Sequence, residues 1–167
     1  MTAGEGLIRG TAWLALTLYV ASEVARGPGR RGVSHRLAVC WLSSLGCAAL
    51  LGHILCAFEF HHHWSHAAAY ADTARQTAAL TGWNWGGGLY VNYAFAAVWV
   101  GEAARLWLTR TWIDGRVGWG TWLVRGFFLF MFLNGAVIFV TGPARWFGLL
   151  GCLTLAVWWW RPTGRRS

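Results

Sequence analysis

The chain contains no lysine and few charged residues of any kind. Only 12% of its 167 residues are charged and 56% are hydrophobic, whereas a soluble domain usually carries about a quarter charged residues. Several apolar runs reach the length that crosses a bilayer, about 20 residues. This composition excludes an ordinary soluble domain. It predicts an all-α integral membrane protein, with one domain that covers residues 1–167.

Several catalytic and cofactor motifs are also missing. The four cysteines form neither C-x-x-C nor C-x-x-C-H, which excludes the dithiol redox and covalent haem motifs. The H-E-x-x-H pattern of zinc proteases is absent, and the glycines at 82–88 do not match a phosphate-binding loop. The chain also lacks internal repeats and linkers rich in proline, serine or charge.

All fourteen basic residues are arginines, and the net charge is +8. They concentrate beside the ends of apolar runs, which is typical of a membrane protein that follows the positive-inside rule. We therefore expect no nucleic acid as a partner. The absence of lysine is typical of a GC-rich bacterial genome, so we expect a multi-pass protein of the bacterial inner (plasma) membrane.

Five apolar segments predict five transmembrane helices, with the N-terminus outside and the C-terminus inside. The predicted spans are residues 7–25, 37–58, 89–108, 124–140 and 144–160. The first lacks a preceding basic region and a cleavage site, so it is interpreted as a span and not a signal peptide. Eleven arginines then lie in cytoplasmic segments and three in outer segments, as the positive-inside rule requires.

An Ala-rich segment at 67–80 predicts a short helix on the outer face between spans 2 and 3. Three acid–arginine pairs are also expected, because residues three apart on a helix can form ion pairs. They are Glu23–Arg26, Asp72–Arg75 and Glu102–Arg105. The first and third are interpreted as anchors of the inner membrane interface, with a proton relay through Glu102 as the alternative.

The segment 59–66, Glu-Phe-His-His-His-Trp-Ser-His, contains four of the six histidines and follows the second span. If it is helical, four of its side chains share one face, because they lie at i, i+3, i+4 and i+7. They are Glu59, His62, His63 and His66. A carboxylate with imidazoles suits zinc, copper or iron, so these four residues are the predicted metal ligands.

Other groups are expected to support these ligands. Tyr70, Asp72, Tyr90 and Tyr93 lie near the same end of the predicted bundle. Ligating imidazoles usually donate their second N–H to an oxygen, so these four residues are the predicted partners. His61, in contrast, is expected to point away from the ligands into solvent.

His53 and His66 support a second interpretation, a b-type haem site. Their separation of thirteen residues corresponds to about 20 Å along a helix, a spacing that membrane cytochromes with two b-type haems use. The other spans contain no histidine, so the axial partners would come from a second copy of the chain or another subunit. The plain alternative is that the cluster is a patch of amphipathic rings at the membrane interface.

The leading functional hypothesis is a small membrane protein whose outer-face His/Glu cluster binds a transition metal (Cu, Fe or Zn) or b-type haem. It would act as a subunit of a redox or metal-handling membrane complex. The first alternative is a non-catalytic structural subunit whose fourteen tryptophans pack against larger membrane partners. The second is a small transporter or channel lined by Asn92, Glu102 and Asn134. The expected partners are the lipid bilayer and either other membrane subunits or further copies of the chain.

Overall fold

The computed structural model describes residues 2–27, 32–109, 118–140 and 142–160. Within these ranges the chain forms helices and no strands, which confirms the prediction of an all-α fold. The helices are α1 (Ala3–Ala25), α2 (Val33–Phe60), α3 (His66–Thr81), α4 (Gly88–Leu108), α5 (Trp119–Leu133) and α6 (Ala144–Trp160). A π-helical turn, Asn134–Ile138, continues α5. The predicted inner basic residues Arg30, Arg31, Arg110, Arg116, Arg161, Arg165 and Arg166 lie outside the described residues.

Side-chain caps explain where two of the helices begin. At the start of α1, the Thr2 hydroxyl accepts a hydrogen bond from the Glu5 N–H at 3.3 Å, and the Glu5 carboxylate accepts one from the Thr2 N–H at 2.9 Å. This reciprocal pair is a capping box. At the start of α3, the Ser65 hydroxyl accepts from the Ala68 N–H at 3.2 Å. Gly82, with φ of 77°, ends α3 in the left-handed conformation that glycine adopts readily.

Five helices form a closed ring. Helix α1 packs against α2 and α6, α2 packs against α4, and α5 contacts both α4 and α6. The short helix α3 contacts α4. It follows a turn after α2, so it folds back over the bundle and does not extend α2 into solvent. The short helix predicted between spans 2 and 3 is therefore confirmed.

The centre of the ring is aromatic. Tyr19 of α1 stacks on Phe128 of α5, with ring centroids 4.6 Å apart, and meets Trp99 of α4 edge-on at 5.3 Å. Phe95 and Phe132 complete this buried cluster. Edge-to-face and stacked ring pairs each add about 0.5–1.5 kcal/mol to the burial of their apolar area.

Two of the described helices are long and apolar enough to cross a membrane, judged by length and composition. They are Val33–Phe60 and Trp119–Ile138, which is α5 with its π-helical turn. This is weak support for a membrane location, and the prediction of five spans is not supported by it. Helices α1 and α4 are long enough but contain ionisable residues such as Arg9, Glu23 and Glu102, and α6 has only 17 residues.

Candidate metal centre

Residues 61–65 form a turn between α2 and α3, so the predicted helical face does not exist. His63 and Trp64 have φ angles of 48° and 58°, a left-handed conformation that few residues other than glycine adopt. The turn is held by the Trp64 indole N–H, which donates to Glu59 Oε2 at 2.5 Å. The prediction of one continuous helical face is wrong, because α2 ends at Phe60.

The turn separates the four residues predicted as metal ligands. The Glu59 carboxylate accepts a hydrogen bond from the Trp64 indole N–H, and the His63 side chain is exposed. His66 is the first residue of α3 and faces α4. Of the four, His62 alone joins a group of three potential ligands within the described ranges.

That group consists of His61, His62 and Asp72, and we call it the His/Asp cluster. One ligand atom from each residue lies within 4.8 Å of the other two. His61 Nε2 lies 3.4 Å from Asp72 Oδ2, and the two imidazole centroids are 4.9 Å apart. The prediction that His61 points away from the ligands is therefore wrong, although its side chain remains largely exposed. The chain turns at His61, which brings its ring beside Asp72 of α3.

Two neighbours on α3 hold the Asp72 carboxylate in place. Arg75 Nη2 donates to Oδ1 at 2.8 Å, which confirms the predicted ion pair. Gln76 Nε2 donates to Oδ2, also at 2.8 Å. The carboxylate is thus oriented with Oδ2 towards His61. Support of this kind is typical of carboxylates that ligate metals, although the Arg75 charge also opposes the approach of a cation.

The surroundings favour the protonation states that a metal requires. Partial burial, followed by the neighbouring His61, lowers the pKa of His62 below its ordinary value of 6.5. Partial burial of Asp72 acts in the opposite sense, but the hydrogen bond from Arg75, the charge of His61 and the hydrogen bond from Gln76 outweigh it and lower the pKa of the carboxyl. A neutral imidazole and an ionised carboxylate are the forms that bind metal ions.

Two of the predicted supporting tyrosines, Tyr90 and Tyr93, contact His66 and not the His/Asp cluster, and the third, Tyr70, contacts Tyr90. The His66 ring centroid lies 5.9 Å from that of Tyr90 and 6.0 Å from that of Tyr93, and Tyr70 lies 6.3 Å from Tyr90. These contacts join α3 to the N-terminal end of α4. Gly86 permits this approach, because a Cβ atom there would lie 2.5 Å from the carbonyl oxygen of Tyr70.

His53 lies deeper in the bundle, at the contact between α1 and α2. Its Nδ1–H donates to the carbonyl oxygen of Ile8 at 2.9 Å, since a carbonyl oxygen can only accept. His53 and His66 are on different helices, separated by the turn at 61–65. The single-helix spacing proposed for a haem site is therefore wrong, while haem binding itself stays a prediction.

Comparison of the chain with protein families, with curated proteins and with solved structures finds no match in any of the three. The interpretation of the His/Asp cluster therefore depends on its own geometry and chemistry.

Proposed function

We propose that the chain is a five-span protein of the bacterial inner membrane, with the N-terminus outside and the C-terminus inside. The outward faces of the ring support this, since leucines such as Leu55, Leu123 and Leu150 are each more than half exposed. Such a surface suits lipid and not water. Two polar residues of α1, Ser22 and Glu23, point inward and are buried, and inward placement is usual for polar groups in membrane helices.

We further propose that His61, His62 and Asp72 bind a divalent transition metal at the outer end of this bundle. The observation that carries the proposal is the position of their ligand atoms, all within 4.8 Å of one another. A tetrahedral ion with bonds of about 2.0–2.1 Å holds its ligand atoms about 3.3 Å apart. The most distant pair of ligand atoms must therefore close by roughly 1.5 Å, whereas His61 Nε2 and Asp72 Oδ2, 3.4 Å apart, already have the required spacing.

Two imidazoles and one carboxylate suit zinc, copper or iron. Three protein ligands leave at least one coordination position for water or an exchanging ligand, whereas structural zinc sites use four protein ligands. The His/Asp cluster is also on the surface, with the His61 side chain 62% exposed. An open, exposed site of this kind favours a role in metal handling, or in a redox complex that receives its metal from outside.

Cobalt binding tests this proposal, because tetrahedral Co²⁺ has visible d–d bands that report its ligands. The protein is purified without a histidine-affinity step, stripped of metal and titrated with Co²⁺. We expect one ion per chain in the wild type and none in the variant H61A/H62A/D72N, while His63→Ala binds as the wild type does. Wild-type protein that binds no cobalt, or equal binding by the triple variant, would contradict the proposal. A Soret band in the purified protein would instead support the haem hypothesis.

A structural subunit remains the second candidate, and the exposed tryptophans favour it. Trp83, Trp119, Trp146 and Trp160 are each more than 60% exposed, and tryptophan is enriched where proteins meet partner subunits or the membrane interface. Under this candidate, the variant H61A/H62A assembles with its partner subunits as the wild type does. Loss of assembly in that variant would count against it.

A further inference from the structure

We propose that the bundle binds the head group of one phospholipid, a phosphatidylethanolamine of the outer leaflet, between the first two turns of α1 and the end of α2. The inference rests on the proposed membrane location. An open pocket of about 220 Å³ lies there, lined by Glu5, Ile8, Arg9, Ala57 and His61. This volume is below the roughly 300–1,000 Å³ of a pocket for a drug-sized ligand, so the pocket suits a group of several atoms, such as a lipid head group.

Arg9 is the basic residue of this pocket, and its guanidinium group is available to a ligand. Within the part of the chain that the structure describes, no hydrogen bond or ion pair engages its side chain. Arg9 is exposed and is the third residue of the proposed span 7–25. An arginine near the end of a span extends its charged group to the membrane surface, where lipid phosphates lie. Because a guanidinium can bind phosphate with two parallel hydrogen bonds, Arg9 is placed to hold the phosphate of a lipid.

Glu5 provides the opposite charge in the pocket without neutralising Arg9. Opposite charges four residues apart on a helix commonly pair, but the Glu5 carboxylate instead accepts from the Thr2 N–H at 2.9 Å. A carboxylate can accept about four hydrogen bonds, so Glu5 retains the capacity to bind an ammonium group. A purely anionic ligand would lie beside this ionised carboxylate. The pair of opposite charges therefore favours a zwitterion over an anion.

Phosphatidylethanolamine matches this pair of charges better than other common phospholipids do. Its negative phosphate and its positive primary ammonium are joined by a short linker, as the two charges of the pocket require. A primary ammonium has three N–H donors for the Glu5 carboxylate. The trimethylammonium group of phosphatidylcholine has no N–H, and phosphatidylglycerol has no positive charge.

The outward surface of both helices suits the acyl chains. Leu14 of α1 is 52% exposed, and Leu51 of α2 is 40% exposed. At 1.5 Å per residue these leucines lie about 7–9 Å further into the bundle than Arg9 and Ala57. Both helices therefore expose apolar side chains at the depth that acyl chains occupy below a head group.

Lipid titration followed by native mass spectrometry tests the proposal. The full chain is delipidated in detergent and titrated with phosphatidylethanolamine, phosphatidylcholine or phosphatidylglycerol that have identical acyl chains. We expect one site that prefers phosphatidylethanolamine by about tenfold or more, the effect of a hydrogen bond between charged groups. Equal affinities for the three lipids would overturn the head-group site and leave the membrane location standing, whereas a protein that binds none of them would contradict both.

A soluble head group separates a lipid site from a site for a small molecule. Glycerophosphoethanolamine has the same charged groups and no acyl chains. It should bind more weakly than the lipid, because buried CH₂ groups add to lipid affinity. Equal binding of the two would identify a site for the soluble molecule and would overturn the lipid proposal.

Two charge variants locate the site. Arg9→Gln removes the partner of the phosphate, so we expect the affinity for phosphatidylethanolamine to fall about tenfold or more. Glu5→Gln removes the negative charge but keeps the capping box, in which glutamine also serves, so we expect the preference over phosphatidylcholine to disappear. Arg145→Gln is the matched control, because Arg145 is also exposed and lies over the Trp146 ring on α6. Unchanged affinity in Arg9→Gln, unchanged preference in Glu5→Gln, or an equal loss in Arg145→Gln would overturn the proposal.

Discussion

The indole N–H of Trp159 donates to Glu23 Oε2 across 2.7 Å, although the two residues are 136 positions apart in the chain. The neighbouring Trp158 indole donates to the backbone carbonyl of Glu23 at 2.9 Å. With Arg26 on α1 and Arg125 on α5, the Glu23 carboxylate connects three helices of the ring. Its side chain is only 1% exposed, so the stability of the bundle depends on these pairings.

Glu23→Gln should therefore be strongly destabilising. The amide removes the negative charge and leaves Arg26 and Arg125 without a counter-ion, so we expect a loss of about 3–5 kcal/mol in the free energy of unfolding. Glu102→Gln is the control, because its pair with Arg105 is more exposed and should cost about 1 kcal/mol or less. Chemical denaturation in detergent micelles measures both values. Equal losses of stability in the two variants would mean that the ion pairs of Glu23 stabilise the bundle no more than the pair between Glu102 and Arg105 does.

Sequence spacing identified the local half of this network and missed the rest. The pairs Glu23–Arg26 and Glu102–Arg105 were predictable, because residues three apart on a helix are neighbours whatever the fold. The contacts of Glu23 with Arg125 and Trp159 depend on which helices adjoin in the ring. Spacing along one helix contains no information about that arrangement.

The helical arrangement expected for the predicted ligands was wrong for a related reason. The sequence pattern predicts that the helix continues past Phe60, but the chain turns there without a glycine or proline to mark the change. One local signal was available, since Ser65 precedes the Ala-rich segment and serine is a preferred N-cap. A helix that begins after Ser65 implies a break at 61–65. The approach of His61 to Asp72 could not be predicted, because it depends on the direction in which that turn leaves α2.

The contact between α6 and the π-helical turn should depend on Gly148. A Cβ atom at this position would run into the backbone carbonyl of Ala136 and lie 2.8 Å from the Ala136 Cβ. Because backbone cannot move aside as a flexible side chain can, Gly148→Ala should lower the free energy of unfolding by about 1–3 kcal/mol. In contrast, a Cβ atom at Gly126 on α5 would have no neighbour within 4 Å, so Gly126→Ala should be neutral or add up to about 1 kcal/mol. Thermal unfolding of both variants is the test, and a neutral Gly148→Ala would contradict the close packing of α6 on the π-helical turn.

Metal affinity should distinguish His62 from its neighbour His63. His62 belongs to the His/Asp cluster, whereas His63 is exposed and lies outside it. Loss of a group that only supports a ligand usually costs about 10–100-fold in metal affinity, so His62→Ala should cost at least that much. His63→Ala should leave the dissociation constant for Zn²⁺ within about twofold, because no proposed bond is lost. Competition with a chromophoric chelator measures both constants, and a larger effect at His63 than at His62 would contradict the His/Asp cluster as the metal site.

The pH dependence of metal binding follows from the lowered pKa of His62. Only the neutral imidazole binds, so affinity should be constant at high pH and fall as the pH drops through the lowered pKa. The part of this fall that is due to His62 should therefore have its midpoint below 6.5, the ordinary value for histidine. Asp72, whose pKa is lowered from 3.8, stays ionised throughout this range and does not set the midpoint.

The stability of the metal-free protein provides an independent test of the lowered pKa of His62. A histidine whose pKa is lower in the folded state favours unfolding once it is protonated, so stability should decline as the pH falls below 6.5. The part of this decline that is due to His62 should disappear in His62→Ala. In the metal titration, a pH profile that is unchanged in His62→Ala would contradict the proposed role of His62.

Cysteine labelling can decide whether α4 crosses the membrane. The helix has 21 residues, so it is about 31 Å long, which matches a hydrocarbon core of about 30 Å. In the five-span topology α4 alone separates the turn at 61–65 from the start of α5. In a variant whose four native cysteines are replaced by alanine, His63→Cys should react with an impermeant maleimide on intact bacterial cells. Gly118→Cys, which is also exposed, should react only after the membrane is permeabilised. Labelling of both on intact cells would mean that α4 is not a span, and the reverse pattern would place the His/Asp cluster in the cytoplasm.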